Sequence, residues 1–325
     1  MSPIAIGVVG VGSLGFHHVR LLRDLPGARI VGFYDIDRER AASVEAELGA
    51  RGYPDLDQLL ADADAVTIAV PTNAHFSVAK AALQLGLHVF IEKPITTSLA
   101  EADELIELAK RTNRVVQVGH IERFNGAVRA CEPYLRDPLF VESHRLAPFG
   151  KRGTDVAVVL DLMIHDIDLI LSLVKRPVTD VRAVGVPVIS GSIDIANARL
   201  EFEGGAVANI TASRVSVQRQ RKIRFFQPSG YISLDLGKGT GEFYRRKKRQ
   251  DDLSQTPSLT DFLEHVSLRG DQEEPLRLEL QCFLDTVAAE APLAVSGEEG
   301  RLALAVALDI VERIERHHTH VFDSN

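Results

Sequence analysis

A group of glycines near the amino terminus has the spacing of a dinucleotide-binding turn. Gly10, Gly12 and Gly15 form a G-x-G-x-x-G pattern, which follows a short apolar run and opens a segment of helical periodicity. Such glycines let the backbone approach a pyrophosphate, and the start of the helix supplies N–H donors and positive potential. A purely structural turn is the alternative, but the context favours a cofactor site that includes Ser13 and Leu14.

An acidic residue after the second apolar run indicates the type of dinucleotide. Asp35 lies about 20 residues after Gly15, the spacing at which a carboxylate binds the adenosine ribose hydroxyls. Its negative charge would repel the 2′-phosphate of NADP, so the sequence predicts NAD as the cofactor. Arg38 is close enough in sequence to keep NADP open as the alternative.

Polar residues follow the third predicted strand, where a parallel sheet would have its ligand-binding edge. Thr72 or Asn73 could simply cap the next helix. We expect instead that this segment contacts the cofactor through four residues: Pro71, Thr72, Asn73 and His75.

Glu92-Lys93-Pro94 follows the fourth predicted strand, again at the carboxyl edge. Lys93 could be an ordinary surface lysine. Beside a cofactor, however, Glu92 and Lys93 are expected to line the site, and Lys93 could bind a substrate hydroxyl. Proximity to the positive nicotinamide ring would lower the pKa of Lys93, which would allow it to take part in proton transfer.

Three ionisable side chains share one face of a predicted helix that covers Asp155–Leu173. Asp161 and His165 are four residues apart, and Asp168 follows three residues later. Burying such groups is costly unless they have a role, so we expect Asp161 and His165 in a catalytic site. A salt-bridged helix face and a zinc site are alternatives, but no further ligand cluster stands out and no metal is predicted.

The scaffold for these residues alternates strands and helices over residues 1–121, which we assign to an NAD-binding Rossmann domain. Continuous apolar strands separated by helices predict a parallel sheet covered on both faces. Ser98 and Glu101 form a capping box at the start of one helix. The strands are expected at Ile4–Val9, Ala28–Tyr34, Ala65–Val70, His88–Ile91 and Val115–Val118.

The pattern changes near residue 122, and residues 122–325 are assigned to a substrate-binding and oligomerisation α/β domain. Consecutive strands with short turns predict an open, mostly antiparallel sheet. Helices are expected at Leu276–Ala289 and Gly300–His317, and a polar loop at Gln250–Thr260. The strands are expected at Phe140–His144, Val178–Val188, Ile193–Phe202, Ala206–Ser213, Lys222–Phe226 and Tyr231–Leu234.

Composition excludes several classes of protein. The 325 residues include 37 Lys and Arg against 45 Asp and Glu, a net charge of −8, which disfavours nucleic-acid binding. The basic run Arg245–Arg249 is better explained as a solvated loop or strand edge. Cys131 and Cys282 make no disulfide framework and suit a reducing cytoplasm. The sequence has no signal-peptide pattern and no apolar run long enough to span a membrane.

Taken in order, the glycine pattern, the Glu-Lys-Pro segment and the helix stripe resemble the glucose-fructose oxidoreductase / inositol dehydrogenase / MocA family. The resemblance covers nearly the whole chain and implies an NAD-dependent oxidoreductase with a Rossmann domain and a C-terminal α/β domain. It also implies that Lys93 and His165 lie beside the nicotinamide and the reacting carbon, with Asp161 adjacent. The family often has glycine at the position of Met163, and the bond to Pro94 is a candidate for a cis peptide.

A closer resemblance, to the branch of that family that oxidises UDP-N-acetylglucosamine at C3 for lipid A amino-sugar synthesis, rests on four segments. It implies a UDP-sugar substrate, a pathway aminotransferase as a partner, and substrate contacts from His120 and Asn125. The segments are Val118–Asn125, Glu142–Phe149, Asp161–Leu169 and Asp194–Arg199.

Three arginines after the first domain, Arg123, Arg145 and Arg152, could hold the diphosphate of such a substrate. Guanidinium forks suit phosphate oxygens, whereas a free polyol would have no use for the cluster. The alternative is that they are ordinary surface or interdomain arginines.

The sequence therefore predicts oxidation of a nucleotide sugar, with His165 as base and Lys93 polarising the hydroxyl, or the reverse assignment. A free-sugar or polyol dehydrogenase, and a non-catalytic NAD-binding regulator, are the alternatives. Apolar residues on Ile193–Phe202 and Ala206–Ser213 predict a homo-oligomer, a dimer or tetramer, because one domain would cover only one face of these strands.

Overall fold

The computed structural model describes residues 2–150, 156–247, 259–270 and 273–322. These residues form two compact units. Unit 1 runs to Ile121 and also contains Glu274–Leu304, and unit 2 contains Glu122–Glu273 and the residues from Ala305 onwards.

The described residues form thirteen strands and ten α-helices. The strands are β1 (Ile4–Val9), β2 (Ala28–Tyr34), β3 (Ala65–Ile68), β4 (His88–Glu92), β5 (Val116–Gly119), β6 (Phe140–Leu146), β7 (Val178–Val186), β8 (Ile195–Phe202), β9 (Val207–Ser213), β10 (Gln220–Gln227), β11 (Gly230–Asp235), β12 (Thr240–Arg246) and β13 (Leu263–Arg269). The α-helices are α1 (Ser13–Leu22), α2 (Arg38–Leu48), α3 (Leu56–Ala61), α4 (Thr72–Gln84), α5 (Leu99–Thr112), α6 (Gly126–Cys131), α7 (Ile164–Val174), α8 (Leu259–Phe262), α9 (Pro275–Val287) and α10 (Gly297–Phe322). Short 3₁₀ segments lie at Ile121–Phe124 and Glu132–Tyr134, and a π-helical turn lies at Val159–Met163.

Unit 1 contains a five-stranded parallel sheet in the order β2-β1-β3-β4-β5. Every residue of β3 and β5 is buried, as expected for strands covered on both faces. The predicted capping box is confirmed at α5, where Ser98 accepts the Glu101 N–H and the Glu101 carboxylate accepts the Ser98 N–H. The Rossmann-type fold predicted from the sequence is confirmed.

A late segment of the chain, Glu274–Leu304, belongs to unit 1 and not to unit 2 as the sequence boundaries imply. The reason is apolar burial: Phe283 of α9 lies in the same hydrophobic cluster as the sheet residue Phe90, with ring centroids 5.8 Å apart. The Val118 N–H of β5 also donates to the Val295 carbonyl at 3.1 Å. The hydrophobic core around the early strands thus includes residues from late in the chain, which a sequence pattern cannot associate with them.

Unit 2 is built on an eight-stranded sheet in the order β13-β12-β11-β10-β6-β9-β8-β7. All neighbouring pairs are antiparallel except β6 and β9, which confirms the mostly antiparallel prediction. β12 and β13 were not predicted, because their charged residues obscure the alternation. In the basic run, Arg245 and Arg246 are the last two residues of β12, and Arg245 pairs with Glu264 of β13 at 2.6 Å. Residues 248 and 249 lie outside the described residues.

The two faces of this sheet differ in polarity. On β8 the buried positions are Ala196, Ala198, Leu200 and Phe202, while the alternate positions carry Asn197, Arg199 and Glu201. Most apolar residues of β8 and β9 are therefore buried within unit 2, while Ile195 and Val207 are partly exposed on the opposite face. Because the opposite face carries mainly polar residues, the predicted second apolar face is not observed on these strands.

Candidate active site

The glycine turn after β1 has the geometry that a pyrophosphate requires. Gly10 has φ +85°, and a Cβ on Gly15 would lie 1.8 Å from the Gly10 carbonyl oxygen, so neither position tolerates a side chain. A Cβ on Gly12 would meet no described atom within 4 Å. Gly12 is the N-cap of α1, and no described side chain caps it. Open space therefore faces the N–H groups at the start of this helix, next to Ser13 and Leu14.

Asp35 at the end of β2 holds the glycine turn. One carboxylate oxygen accepts the Val11 N–H at 2.7 Å and the other accepts the Asp37 N–H at 2.9 Å. Each oxygen keeps a further lone pair, so the carboxylate can still accept hydroxyl groups. Arg38 instead donates to the Pro54 carbonyl. Arg40, which sequence reasoning missed, donates through Nε to the Val11 carbonyl at 2.8 Å.

The loop after β3 lies at the carboxyl edge of the parallel sheet and leads into α4. Pro71 is the N-cap of α4 and no described side chain caps it, so capping does not explain Thr72 or Asn73. His75 is buried, with Nδ1 2.9 Å from the Pro94 carbonyl oxygen and Nε2 3.0 Å from that of Val70. Burial lowers the pKa of His75, against the effect of these carbonyls. His75 thus connects the loops that follow β3 and β4.

The Glu92-Lys93-Pro94 segment is fixed from a second side. His18 is fully buried, and its Nε2 lies 3.0 Å from Oε1 of Glu92. The Lys93–Pro94 peptide bond is cis. His18 and His75 therefore contact the residues on either side of Lys93. Sequence reasoning missed His18, although it follows the glycine pattern by one helical turn.

In unit 1 these features fit a dinucleotide. The space at Gly12 and the starts of α1 and α4 suit a pyrophosphate, and Asp35 suits ribose hydroxyls. Glu92 ends the neighbouring strand β4 at the same edge, and Lys93 is the next residue.

In unit 2 the helix that carries the predicted catalytic residues is not regular. Val159–Met163 forms a π-helical turn and α7 begins only at Ile164, so a continuous α-helix over this region is a wrong prediction. The wider turn changes the angular offset of Asp161 from His165, and such turns are frequent at functional sites. Asp161 and His165 are both partly exposed.

Asp168, the third member of the stripe, is buried and bound by Arg123. Nε of Arg123 donates to Oδ2 at 2.8 Å, and the second contact, NH2 to Oδ1, is 2.6 Å. Arg145 is 3% exposed, and all three of its nitrogens donate to carboxylates of Asp166 and Glu122 at 2.8–2.9 Å. The expectation that Arg145 offers free donors to a diphosphate is therefore contradicted by the structure.

Two other predicted substrate residues are buried. His120 is 1% exposed. Asn125 caps α6 through Oδ1 and donates through Nδ2 to Glu122 at 3.0 Å and to the Leu236 carbonyl at 2.9 Å, so its amide serves the fold. Arg152 lies outside the described residues. Sequence reasoning missed Glu122 and Asp166, because no local sequence pattern indicates that Arg145 pairs with them.

The described part of the chain shows neither a metal-ligand cluster nor a membrane-spanning helix. Its His, Cys, Asp and Glu side chains form no group of three or more that could hold a metal ion. Among its helices, none combines the length and apolar character that crossing a bilayer requires.

Comparison with known families gives two matches along the chain. Residues 4–120 match the model of an oxidoreductase family with an NAD-binding Rossmann fold. Residues 117–233 match the GFO/IDH/MocA C-terminal domain.

Individual relatives cover nearly the full length. UDP-N-acetylglucosamine 3-dehydrogenase from Acidithiobacillus ferrooxidans is 40% identical over 320 residues, which are 97% of this chain and 98% of that protein. Myo-inositol 2-dehydrogenase from Thermotoga maritima is 27% identical, covering 95% and 96%. A solved structure of the Acidithiobacillus enzyme, GnnA, superposes with a TM-score of 0.88 at 37% identity, covering 97% of this chain and 99% of that one.

Proposed function

Because the chain belongs to the GFO/IDH/MocA oxidoreductase family, we propose that it uses NAD to oxidise UDP-N-acetylglucosamine at C3. The product is the 3-keto sugar nucleotide, a precursor of the amino sugar of lipid A. The observation that carries this proposal is the 40% identity to UDP-N-acetylglucosamine 3-dehydrogenase over 97% of the chain. The myo-inositol enzyme is less similar over a comparable length.

The residues of unit 1 hold the cofactor in this proposal. The N–H groups at the starts of α1 and α4 bind the pyrophosphate, and Asp35 accepts the ribose hydroxyls. NAD, when bound, accepts a hydride from the substrate carbon. The Asp35 charge disfavours a 2′-phosphate at the same place, and Arg38 is already directed to the Pro54 carbonyl.

Lys93 and His165 carry the proton chemistry. His165 removes the hydroxyl proton as general base, with Asp161 nearby in sequence on the π-helical turn. Lys93 binds and polarises the same hydroxyl, and its segment is held by His18 and His75. The reverse assignment, with Lys93 as base, would place the controlling pKa in the pH–rate profile well above the ordinary histidine value of about 6.5.

The test is a substrate panel with NAD, with reduced cofactor followed by absorbance. UDP-N-acetylglucosamine, other UDP-sugars, N-acetylglucosamine and myo-inositol are compared, and a carbonyl trap removes the keto product. We expect turnover of UDP-N-acetylglucosamine alone or far above the rest. Turnover of myo-inositol without any of the UDP-sugar would establish the polyol alternative, and no turnover with NAD binding intact would favour a regulator.

The proposed setting is the cytoplasm. Cys131 and Cys282 are both free, and burial raises the pKa of Cys131 to about 12, so that thiol is unreactive. A 3-keto sugar nucleotide is a substrate for transamination, so we place an aminotransferase next in the reaction sequence.

We assign self-association to one row of rings on unit 2. Five residues directly opposite one another across β6, β10, β11, β12 and β13 form this aromatic row. Neighbouring ring centroids lie 4.6–5.5 Å apart, and the rings are half-buried or exposed. The row consists of Phe140, Phe226, Tyr231, Tyr244 and His265.

A continuous row of partly exposed aromatic rings offers an interaction surface, and a second copy can cover it through a two-fold axis. We expect light scattering to report a dimer or tetramer, and Tyr231→Lys to lower the molecular mass. A wild-type monomer at micromolar concentration would contradict this assignment.

A further inference from the structure

A basic cavity lies where β10 begins and β11 ends in the unit 2 sheet. Its volume is about 280 Å³, and its lining includes four cationic residues and one carboxylate. The cations are Arg219, Arg221, Lys222 and Lys238, and the carboxylate belongs to Asp235. The cavity therefore carries an excess of positive charge, although the chain as a whole has a net charge of −8.

Strand pairing builds this cavity from residues far apart in sequence. Lys222 of β10 lies opposite Asp235 of β11, and the Leu236 N–H donates to the Arg221 carbonyl at 2.8 Å. Oδ1 of Asp235 accepts the N–H groups of Gly237 and Lys238, each at 3.2 Å. The one carboxylate thus orders the turn that presents Lys238.

The positive charge of the Arg221 guanidinium is only partly balanced by a neighbouring carboxylate. Its NH1 lies 3.9 Å from Oε1 of Glu122, but the same oxygen already accepts NH1 of Arg145 at 2.8 Å. Burial lowers the pKa of Arg221, and the neighbouring Arg145 lowers it further. An anion in the cavity would stabilise the Arg221 guanidinium.

We propose that this cavity binds the diphosphate of the nucleotide-sugar substrate, through Arg219, Arg221 and Lys238. The inference rests on the function proposed above and supplies donors that Arg145 cannot. Guanidinium and ammonium groups form short, charge-assisted hydrogen bonds to phosphate oxygens. None of these three residues was singled out in the sequence, because only the β10–β11 register brings them together.

The cavity is connected to the helix that carries the proposed base. Glu122 contacts both Arg221 and Arg145, and Arg145 binds Asp166, the residue after His165. Binding energy from a remote diphosphate can hold the reacting sugar in place. Losing the contacts to the diphosphate is therefore expected to raise KM and also to lower kcat.

The experiment measures UDP and inorganic pyrophosphate binding by calorimetry with NAD at saturation, so that the glycine turn is occupied. The variants are Arg221→Gln and the double variant Arg219→Gln/Lys238→Gln. The double variant changes exposed side chains and should leave folding intact. We expect each variant to weaken UDP binding by about tenfold or more, equivalent to about 1.4 kcal/mol, and to raise the KM for UDP-N-acetylglucosamine while that for NAD is unchanged.

The matched control is Arg182→Gln, on the far edge strand β7, where the side chain is 76% exposed; it should behave as wild type. If both variants bind UDP as wild type does and keep its KM, the cavity proposal is wrong while the proposed function stands. If UDP binding depends on these residues but UDP-N-acetylglucosamine is not oxidised, the proposed function is wrong and the diphosphate site stands. A wild-type protein that binds neither UDP nor pyrophosphate overturns the cavity proposal.

Discussion

Arg145 and Asp166 form a buried, two-point ion pair between β6 and α7. Nε of Arg145 donates to Oδ2 at 2.9 Å, and NH2 donates to Oδ1 at 2.8 Å. Burial opposes the charge on Arg145, but Asp166 and Glu122 outweigh it and raise the pKa of the guanidinium. Burial raises the pKa of Asp166, against the effect of Arg145, and the two hydrogen bonds tie the helix bearing His165 to the unit 2 sheet.

Breaking this pair should lower the free energy of unfolding by more than breaking a surface ion pair does. Asp166→Asn leaves a buried guanidinium partly uncompensated, a loss of about 3–5 kcal/mol of unfolding free energy. Urea unfolding measures it. The control is Asp180→Asn at the exposed pair with Arg182, where about 0–1 kcal/mol is expected. Equal losses in the two variants would remove the anchoring role.

The proposed chemistry predicts different consequences for Lys93 and His165. Replacing either by Ala should lower kcat by roughly 100-fold or more, because a positioned acid or base contributes that much, while NAD affinity is retained. Stopped-flow turnover and fluorescence titration of NAD measure the two quantities. A His165→Ala enzyme with near-normal kcat across the pH range would exclude His165 as the base.

The cofactor preference depends on the charge of Asp35. Asp35→Asn keeps an acceptor for the Val11 N–H but removes the negative charge. NAD binding should weaken by about tenfold, equivalent to about 1.4 kcal/mol, and NADP binding should improve relative to it. Titration of both cofactors measures the ratio, and wild-type preference for NADP would refute the assignment.

The Lys93 segment should also respond to His75. His75→Leu leaves the Pro94 carbonyl without the His75 contact, 2.9 Å in the structure, so kcat should fall by more than NAD affinity does. His88→Gln is the control, because His88 begins the strand that Glu92 ends. Equal changes in kcat and in NAD affinity would indicate a general structural role.

Acid stability should depend on Asp194. Although burial opposes it, hydrogen bonds from Ser190 and from the N–H groups of Ile189, Ser190 and Val188 lower the pKa of Asp194 well below its ordinary range. A depressed carboxyl pKa contributes stability that is present above about pH 4, the unfolded value, and is lost as the pH falls through the folded one. Asp194→Asn should therefore be less stable than wild type at pH 7, with a difference that shrinks below about pH 4. Urea unfolding at both pH values measures it, and a constant difference would contradict the argument.

The parts of the site set by short-range spacing were predictable. Gly10, Gly12 and Gly15 must lie in one turn, and Asp35 must end the next strand, because a βαβ unit fixes both. Glu92 and Lys93 were placed at the carboxyl edge by the same alternation of strand and helix. The structure confirms these positions.

The parts set by long-range pairing were not predictable. Arg145 and Asp168 have the composition of ligand-binding residues, yet each pairs with an opposite charge across unit 2. The π-helical turn before Ile164 has no local sequence signal. Arg221 and Lys238 line the same cavity only through the β10–β11 register.

The return of Glu274–Leu304 to unit 1 has a consequence for how the protein is made. The first five strands leave the ribosome before the residues that complete their core, among them Phe283. The 152 residues of Glu122–Glu273 must be synthesised in between. At roughly 5–20 residues per second, that interval is about 8–30 s. During that interval the nascent NAD-binding unit exposes an apolar surface that its later residues have not yet covered. This exposure makes the unit a substrate for chaperones. A gene fragment that ends at Ile121 should yield an insoluble product.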